Sequence, residues 1–551
     1  MRSVLIVAAL CSLAVFMGFG CGGEPSAPTG LDAVTSGNGA PAIVIWSGSE
    51  NKGLEPIVSE YAQSKGVPIL VRYHGSIDIM RELRKGHQAE PDILWPAAGH
   101  WLAIGDTAKV IRHAESIMKS PLVVAVRRSK AEALGWVPDR PNYIGRELTV
   151  EDVLKATSAG TLRLGMTSAT QSNSGNQAYL GFLYAFAGKP EMLEMKHLQD
   201  PAVGAKVSKL LRSFNRSAGS SGFLKDLLVE HSDALDGMVN YECLVIEANE
   251  VLVAQGKEPL FAVYVSDGTA IADSPLALVD KGDPGKEEFF RGLQNYLLSE
   301  PVQQRILQSG RRTGKVGLAV SGAVTKFNPA WGIDVSRTIS PVPLPPNDVI
   351  LEAMNLYQTA FRKPSLTVYV LDYSGSMSQN GGEQQLKDAM RILLNPQLAA
   401  EYLLQPSPRD VSICIPFSSV ADSPITVSGN DPQLLANLFA QLDQKSAGGG
   451  TALYGAVGKA FQALQPYADR AGEYHISVIV MTDGAPTDYP SVLEQAVRSS
   501  PLWGDVPIYS ILFGEGVRRD LMEELSKKAF GKVFDGTKDL ATAMREAKGF
   551  N

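Results

Sequence analysis

The sequence predicts an α/β protein built from two folded regions, and three observations lead to this fold class. From about Pro41 to about Gly322, short apolar runs alternate with helical patterns, which is typical of α/β domains. From Pro364 onward the alternation returns, with the continuous apolar runs of strands that are covered on both faces. This second region is predicted to form a doubly wound, mostly parallel sheet. A proline-rich stretch, 323–363, separates the two regions.

Length and composition are those of an ordinary multidomain globular protein. The 551 residues leave room for about three to four domains. Hydrophobic residues make up 44% of the chain and charged residues 20%, and the formal net charge is −7. This charge gives no reason to expect a nucleic acid partner. Beyond the N-terminus, no apolar stretch is long enough to predict a transmembrane helix.

The N-terminus predicts export. Residues 1–20 combine a basic tip, a short apolar core and small residues, which is the pattern of a signal peptide. The sequence Gly18-Phe19-Gly20-Cys21 resembles the lipobox of bacterial lipoproteins, although Gly18 stands where Leu is usual. That resemblance implies lipidation of Cys21 and attachment to the bacterial cell envelope, at the periplasmic or outer surface; the alternative is an ordinary secretory signal that is cut nearby. The stretch 21–40 is rich in Gly, Ser, Pro and Thr, and predicts a flexible tether.

The cysteines give no disulfide framework. Of the four, Cys11 leaves with the signal peptide and Cys21 is the lipidation candidate. Cys243 and Cys414 lie in different predicted domains, so no disulfide between them is expected, and no Cys/His spacing indicates zinc.

The first region delivers three polar loops to one edge of a predicted sheet. Strands at 42–46, 67–73 and 91–95 are each followed by a loop of small residues and then by a helical pattern. Because the carboxyl ends of such strands meet at the same edge, the loops are expected to converge on a ligand. Helix N-termini at this edge favour an anion.

These loops resemble those of type 2 periplasmic solute-binding proteins, including oxyanion-binding members. The resemblance rests on Gly75-Ser76 before a helix, on the strand that begins at Pro91, and on Leu162–Thr167 running into Ser172-Asn173-Ser174-Gly175. It implies a two-lobed clamp over 41–322, with crossovers between the lobes at 120–126 and 273–279. The candidate contacts for a small solute, possible anions included, are Ser47, Ser49, Gly75, Ser76, Ala98, Ser172 and Ser174. The alternative for each serine is helix N-capping.

The separating segment 323–363 contains several prolines and ends in a helical pattern from Val349 to Phe361. Its proline density predicts either a stiff, extended connector or a strap that is packed along a domain surface.

The last region, 364–551, contains the strongest motif. The apolar run Val368–Leu371 turns into Asp372-Tyr373-Ser374-Gly375-Ser376, which places a carboxylate and two hydroxyls at alternate positions after a buried strand. Such oxygen ligands suit Mg²⁺. The other predicted helices lie at 383–394, 431–442, 452–464, 491–499, 518–528 and 538–548, and the other predicted strands at 411–417, 424–427, 476–482, 507–513 and 532–534.

Two further pieces complete the motif. Thr451 follows Gly448-Gly449-Gly450 and opens a helix, and Asp483-Gly484 ends the apolar run 476–482. The set Asp372, Ser374, Ser376, Thr451 and Asp483 resembles the metal-ion-dependent adhesion site of von Willebrand factor A domains, which have a Rossmann-like sheet. The resemblance implies Mg²⁺ or Mn²⁺ and a coordination position that an acidic residue of a partner protein fills. The alternatives are a purely structural metal or a polar turn.

The sequence therefore predicts a membrane-anchored binding protein outside the cytoplasm. The last domain binds a protein partner through its metal, and the clamp binds a small solute, or descends from one that did. The first alternative is the solute receptor of an ABC transporter with an accessory domain. The second is a subunit of a chelatase-like ATPase assembly, which export to a compartment without ATP disfavours. No Gly-x-Ser-x-Gly, His-Glu-x-x-His or P-loop motif is present, and no enzymatic activity is predicted.

Overall fold

The computed structural model describes residues 33–35, 43–137, 147–231, 233–314, 325–335, 339–379, 381–483, 485–513, 518–537 and 540–549. The predicted signal peptide, the lipidation candidate Cys21 and Gly484 lie outside the described residues. Among the described residues, Cys243 and Cys414 are buried free thiols. No helix in this part of the chain combines the length and the apolar character needed to cross a membrane.

The strands are short and mostly buried. They are β1 (Ala33–Thr35), β2 (Ile43–Ser47), β3 (Ile69–Tyr73), β4 (Ile93–Trp95), β5 (Ile111–Ser116), β6 (Ser120–Arg127), β7 (Leu164–Thr167), β8 (Arg216–Ala218), β9 (Gly237–Tyr241), β10 (Leu260–Val263), β11 (Ile271–Ala272), β12 (Pro275–Val279), β13 (Ser365–Asp372), β14 (Val411–Phe417), β15 (Ile425–Ser428), β16 (His475–Thr482), β17 (Ile508–Leu512) and β18 (Val533–Asp535).

The helices alternate with these strands. They are α1 (Glu55–Lys65), α2 (Ser76–Leu83), α3 (His100–Gly105), α4 (Arg128–Ala133), α5 (Val150–Ser158), α6 (Asn173–Phe186), α7 (Met195–Leu198), α8 (Pro201–Ser213), α9 (Ser221–Glu230), α10 (Glu242–Ala254), α11 (Pro284–Leu298), α12 (Glu300–Gln308), α13 (Asn347–Leu356), α14 (Gly382–Leu394), α15 (Pro396–Glu401), α16 (Pro432–Asp443), α17 (Leu453–Leu464), α18 (Pro490–Val497), α19 (Arg519–Lys527) and α20 (Leu540–Gly549). A π turn, Tyr357–Phe361, continues α13.

Two sheets form the two lobes of the first region. The first lobe contains a mixed sheet of order β1-β3-β2-β4-β12-β5, and the second contains β10-β6-β9-β7-β8 with β11 paired to β6. The chain crosses to the second lobe between β5 and β6 and returns between β11 and β12. Both predicted crossovers are therefore confirmed. One prediction was wrong in detail: Ala33–Thr35, in the predicted flexible tether, pairs antiparallel with β3, as Val and Thr favour strands.

The third sheet lies in the C-terminal unit, which we define as residues 364–549. Its order is β15-β14-β13-β16-β17-β18, with parallel pairing throughout except for the edge strand β15. Alternate residues of the central strand enter two cores: Val368 and Val370 pack on one face, and Tyr369 and Leu371 on the other. This double burial explains the continuous apolar run. The predicted elements of this region are present with ends that differ by at most two residues, except that β13 begins three residues before the predicted run. Helix α15 was not predicted.

The described part of segment 323–363 is a strap that packs against the second lobe. Ile333 is fully buried, and the backbone N–H of Val342 donates to the Thr269 carbonyl at 2.9 Å. The apolar face of α13, which includes Ile350 and Met354, joins the core formed by α6 and α8. Of the two predicted alternatives, the packed strap describes these residues.

The last helix, α20, ties the C-terminal unit to both lobes. The guanidinium of Arg545 forms a buried ion pair with Asp78 of the first lobe and donates to the Thr170 carbonyl of the second. Gln171 of the second lobe donates its side-chain amide to the carbonyl of Arg545. The Arg545 Nε donates to the Tyr402 carbonyl within the C-terminal unit at 2.9 Å. One side chain thus joins three units.

We expect Arg545→Ala to lower the free energy of unfolding by on the order of 3 kcal/mol, because it removes the buried guanidinium that pairs with the Asp78 carboxylate. Exposed Arg519→Ala serves as the control and should change stability little. Calorimetry on Arg545→Ala, on Asp78→Ala and on the Asp78→Ala/Arg545→Ala double variant measures the coupling. Strict additivity of the two single substitutions would contradict a direct interaction.

Candidate functional site

The metal-loop residues of the C-terminal unit begin with Asp372, the last residue of β13. Its Oδ1 accepts a hydrogen bond from the backbone N–H of Ser374 at 2.7 Å, and its Oδ2 accepts from the Thr482 hydroxyl at 2.6 Å. Thr482 ends β16, the neighbouring parallel strand. The carboxyl ends of two adjacent strands therefore fix both oxygens of this carboxylate, as expected for a switch point in a doubly wound sheet.

The two serines link Asp372 to the second predicted carboxylate. Ser374 Oγ lies 3.0 Å from Ser376 Oγ, and Ser376 Oγ donates to Asp483 Oδ1 at 2.8 Å. A short 3-10 turn, Gly375–Ser378, holds the loop in this shape. Four of the five predicted ligands thus lie in one connected group, although Ser376 and Asp483 are 107 positions apart.

Thr451 lies on the glycine loop that borders this group. The Gly375 N–H donates to the Gly449 carbonyl at 3.0 Å, and the Gly448 N–H donates to the Tyr373 carbonyl at 2.9 Å. The Thr451 N–H donates to Thr487 Oγ1 at 2.9 Å, and Thr451 is 5% exposed. The glycine loop is therefore held directly against the Asp-x-Ser-x-Ser loop, with Thr451 immediately before α17.

The electrostatics of this group suit a divalent cation. Asp372 is fully buried and Asp483 is 5% exposed. Burial raises the pKa of both carboxyls, and the charge of Asp483 raises the pKa of Asp372 further. No described Lys, Arg or His pairs with either carboxylate, and within the described ranges no three His, Cys, Asp or Glu side chains cluster. Two buried carboxylates and three hydroxyls are a donor set that fits Mg²⁺ or Mn²⁺.

Two of the predicted solute contacts, Ser49 and Gly75, lie at the junction between the two lobes, which we call the interlobe junction. Ser49 Oγ lies 3.2 Å from Ser221 Oγ and accepts from the Gly222 N–H at 3.2 Å. A Cβ at Gly75 would lie 2.2 Å from the Gln171 carbonyl oxygen, so only glycine permits this approach of the lobes. Both contacts join the first lobe to the second, and the lobes are closed on each other.

The other candidates make their hydrogen bonds within a single lobe. Ser76 Oγ accepts from the Ala97 N–H at 3.0 Å, and Ala98 is buried beside it. Ser47 Oγ accepts from Asn51 Nδ2 at 3.2 Å. Ser174 Oγ lies 2.7 Å from Thr167 Oγ1 and 3.1 Å from Ser172 Oγ. These hydroxyls are all engaged with protein groups.

Helix capping does not account for two of these serines. Helix α2 begins after Gly75 without a side-chain cap, and Ser76 bonds the Ala97 N–H instead. Ser172 precedes α6, yet its hydroxyl makes no cap hydrogen bond. By contrast, Ser220 does cap a helix, since its hydroxyl accepts from the Phe223 N–H at the start of α9.

The interlobe junction also contains carboxylates. Glu50, in the 3-10 turn Ser49–Leu54, is 4% exposed, and its Oε1 has no hydrogen-bond partner among the described residues. Burial raises the pKa of Glu50 to about 7, against the lowering effect of its backbone hydrogen bond and of Arg311. Arg311 Nη2 donates to the Glu50 carbonyl and to Glu247 Oε1. The junction is therefore not a purely anion-favouring surface.

We expect the stability of the protein to fall as the pH rises from about 4.5 to about 7 because of Glu50. Its raised pKa means that the folded state holds a proton that the unfolded state has released. Glu50→Gln should remove this slope, worth at most about 3 kcal/mol, and Glu191→Gln on the exposed α6–α7 loop should retain it. Thermal unfolding from pH 4 to 8 compares the variants, and equal slopes for all three proteins would rule Glu50 out.

Several site residues were not identified from the sequence. Thr482, Thr487 and the Arg545 that borders the interlobe junction emerge only from the structure. The sequence did contain a signal for Thr482, since this residue carries a hydroxyl at the end of the strand next to that of Asp372. Arg545 had none, because its partners lie hundreds of residues away.

A comparison with known protein families supports the fold and function predicted for the first region. Residues 43–312 match the family described as bacterial extracellular solute-binding protein. This match supports the prediction that the first region is a solute-binding domain. No curated protein matches the chain.

Among solved structures, the ferric binding protein from Campylobacter jejuni is 14% identical at a TM-score of 0.41, covering 57% of this chain and 98% of that chain. Iron-bound HitA from Pseudomonas aeruginosa is 14% identical at 0.41, covering 58% and 99%. A von Willebrand factor type A protein from Catenulispora acidiphila is 20% identical at 0.28, covering 34% and 42%. At these TM-scores, the likenesses carry no argument about function.

Proposed function

We propose that this chain is an exported solute receptor whose two lobes close on a small solute at the interlobe junction. The observation that carries the proposal is the pair of crossovers, β5 to β6 and β11 to β12, that joins two sheets whose small-residue loops meet. The family match over 43–312 supports it. The crossovers and the family match favour a solute receptor over metal-dependent adhesion, which was the main function predicted from the sequence.

In this proposal, binding exchanges contacts between the lobes for contacts with the solute. A solute replaces the direct contacts between lobes, namely Ser49 to Ser221 and Gly75 to Gln171. The two crossovers act as the hinge. Beside them, Lys119 and Arg312 form an isolated antiparallel β-bridge. Serine hydroxyls and the uncapped N-termini of α2 and α6 then face the solute. We propose that the receptor passes its solute to an ABC-type permease, and that Cys21 anchors it to the envelope.

We expect Gly75→Val to abolish solute retention, because its side chain prevents the close approach of Gln171 and holds the lobes apart. Gly285→Ala, at the start of α11 in the same lobe, is the control, since its Cβ meets only the Asp283 carboxylate at 3.3 Å. Native mass spectrometry of each protein purified from its own host measures retained mass. Equal retention in the two variants, or none in the wild type, argues against the receptor.

We further propose that the C-terminal unit is a von Willebrand factor A-like domain that holds Mg²⁺ or Mn²⁺. The supporting observation is the hydrogen-bonded group Asp372, Ser374, Ser376 and Asp483, with the Thr451 loop against it and without a protein cation. A bound ion supplies a coordination position for an acidic oxygen of a partner protein. This chain's residues orient the ion through the Thr482 hydroxyl, which holds Asp372 in place.

We expect Asp372→Ala to abolish saturable Mn²⁺ binding and leave the domain folded, because it removes one of the two carboxylates that neutralise the ion. Asp469→Ala, an exposed carboxylate in the 3-10 turn 465–473, should bind Mn²⁺ like the wild type. Calorimetric titration with Mn²⁺ measures binding, and far-UV circular dichroism checks the fold. Unchanged binding in a folded Asp372→Ala protein would exclude this site.

A further inference from the structure

A basic pocket lies at the edge of the third sheet opposite the metal loops. Here β13, β14 and β16 begin, whereas the metal loops follow the ends of β13 and β16. The pocket has a volume of about 520 Å³ and is lined by all three parts of the chain. Arg212 comes from α8 in the second lobe, Lys363 from the end of the strap, and Arg409 from the loop before β14.

These three cations have no carboxylate partner among the described residues. Lys363 is only 9% exposed, and its ammonium makes no hydrogen bond or ion pair with any described group. The Arg212 Nε is buried without a hydrogen-bond partner, while its Nη2 donates to the Ala360 carbonyl at 3.2 Å. The Arg409 side chain is exposed at the pocket rim. A largely buried side chain with an ammonium that has no carboxylate partner favours an anion beside it.

The nearby carboxylates are already committed. Asp410 is buried and forms an ion pair with Arg362, and it also accepts from the Ser365 and Ser407 N–H groups at 2.8 Å. Glu473 pairs with Arg470 at 2.9 Å. The positive charge of Lys363, Arg212 and Arg409 is therefore not balanced by the protein.

The positive charges around this pocket lower the pKa values of neighbouring basic groups. Burial and the charge of Arg216 lower the pKa of Lys363, and burial and Arg409 lower that of Arg212. The pKa of His475, at the start of β16, is also held well below its usual range by burial and by Lys363, Arg362 and Arg216. Like charges held together in this way indicate a site built for an anion.

We propose that this pocket binds a small oxyanion of the phosphate class, inorganic phosphate or a phosphate monoester, between the second lobe and the C-terminal unit. An ammonium and two guanidinium groups are the donors that phosphate oxygens prefer. The pocket volume leaves room beside the phosphoryl group for a small substituent. A bound anion connects Arg212 of the second lobe to Lys363 and Arg409, so it also stabilises the docking of the C-terminal unit.

Calorimetric titration of the full chain with inorganic phosphate, in EDTA to exclude metal-phosphate complexes, tests the proposal. The wild type should bind saturably, and Lys363→Met should weaken binding at least tenfold. Lys528→Met removes the same charge from an exposed position at the end of α19, where Lys528 pairs with Glu524, and should bind like the wild type. Because Arg409 is exposed, Arg409→Gln should leave the protein folded and weaken phosphate binding several-fold.

Thermal unfolding gives an independent measurement. Because a ligand stabilises the state that binds it, phosphate should raise the melting temperature of the wild type and not that of Lys363→Met. Absence of saturable phosphate binding to the wild type overturns the proposal. So does equal affinity in the Lys363→Met and Lys528→Met proteins, which would place the anion elsewhere on the chain.

Discussion

The buried guanidinium of Arg545 is the interaction on which the arrangement of this molecule depends. Its side chain is fully buried, and its donors reach Asp78 in the first lobe, Thr170 in the second and Tyr402 in the C-terminal unit. A buried guanidinium is tolerated only when its donors are satisfied, so these partners hold each other in place. Movement of one lobe away from the other breaks at least one of these contacts. Opening of the solute junction and docking of α20 are therefore energetically linked.

The same helix shares a core with the metal loop. Met377, in the 3-10 turn that carries Ser376, packs in one cluster with Leu386 of α14 and with Met544 and Ala547 of α20. Helix α14 thus has its start at the metal loop and one face against the helix that carries Arg545. Residues of the second lobe, including Val245, belong to this cluster as well. The metal loop and α20 therefore share one packed core with part of the second lobe.

How far the sequence predicts this structure depends on whether the information is local. The grouping of Asp372 with Asp483 follows from runs such as Val368–Leu371, because burial on both faces specifies a central strand and parallel strands bring their carboxyl ends together. The crossovers were predicted from the resemblance to solute-binding proteins. The pairing of Asp78 with Arg545 spans 467 positions and leaves no periodic signal. The unpaired state of Lys363 is likewise invisible in sequence, since it depends on Asp410 being held by Arg362. The sequence did not decide between a stiff connector and a packed strap for segment 323–363, because the density of prolines is the same in both.

The charge of the solute is constrained by the start of α2. An uncapped helix N-terminus favours an anion, and on this basis the sequence favoured an anionic solute. The protein already provides a carboxylate there, because Asp78 lies in the first turn of α2. That carboxylate is in turn neutralised by Arg545. A solute that displaces the Asp78 carboxylate from the helix must carry negative charge, whereas one that displaces Arg545 from Asp78 must carry positive charge. The start of α2 therefore holds charges of both signs, and Arg545 of α20 supplies the positive one.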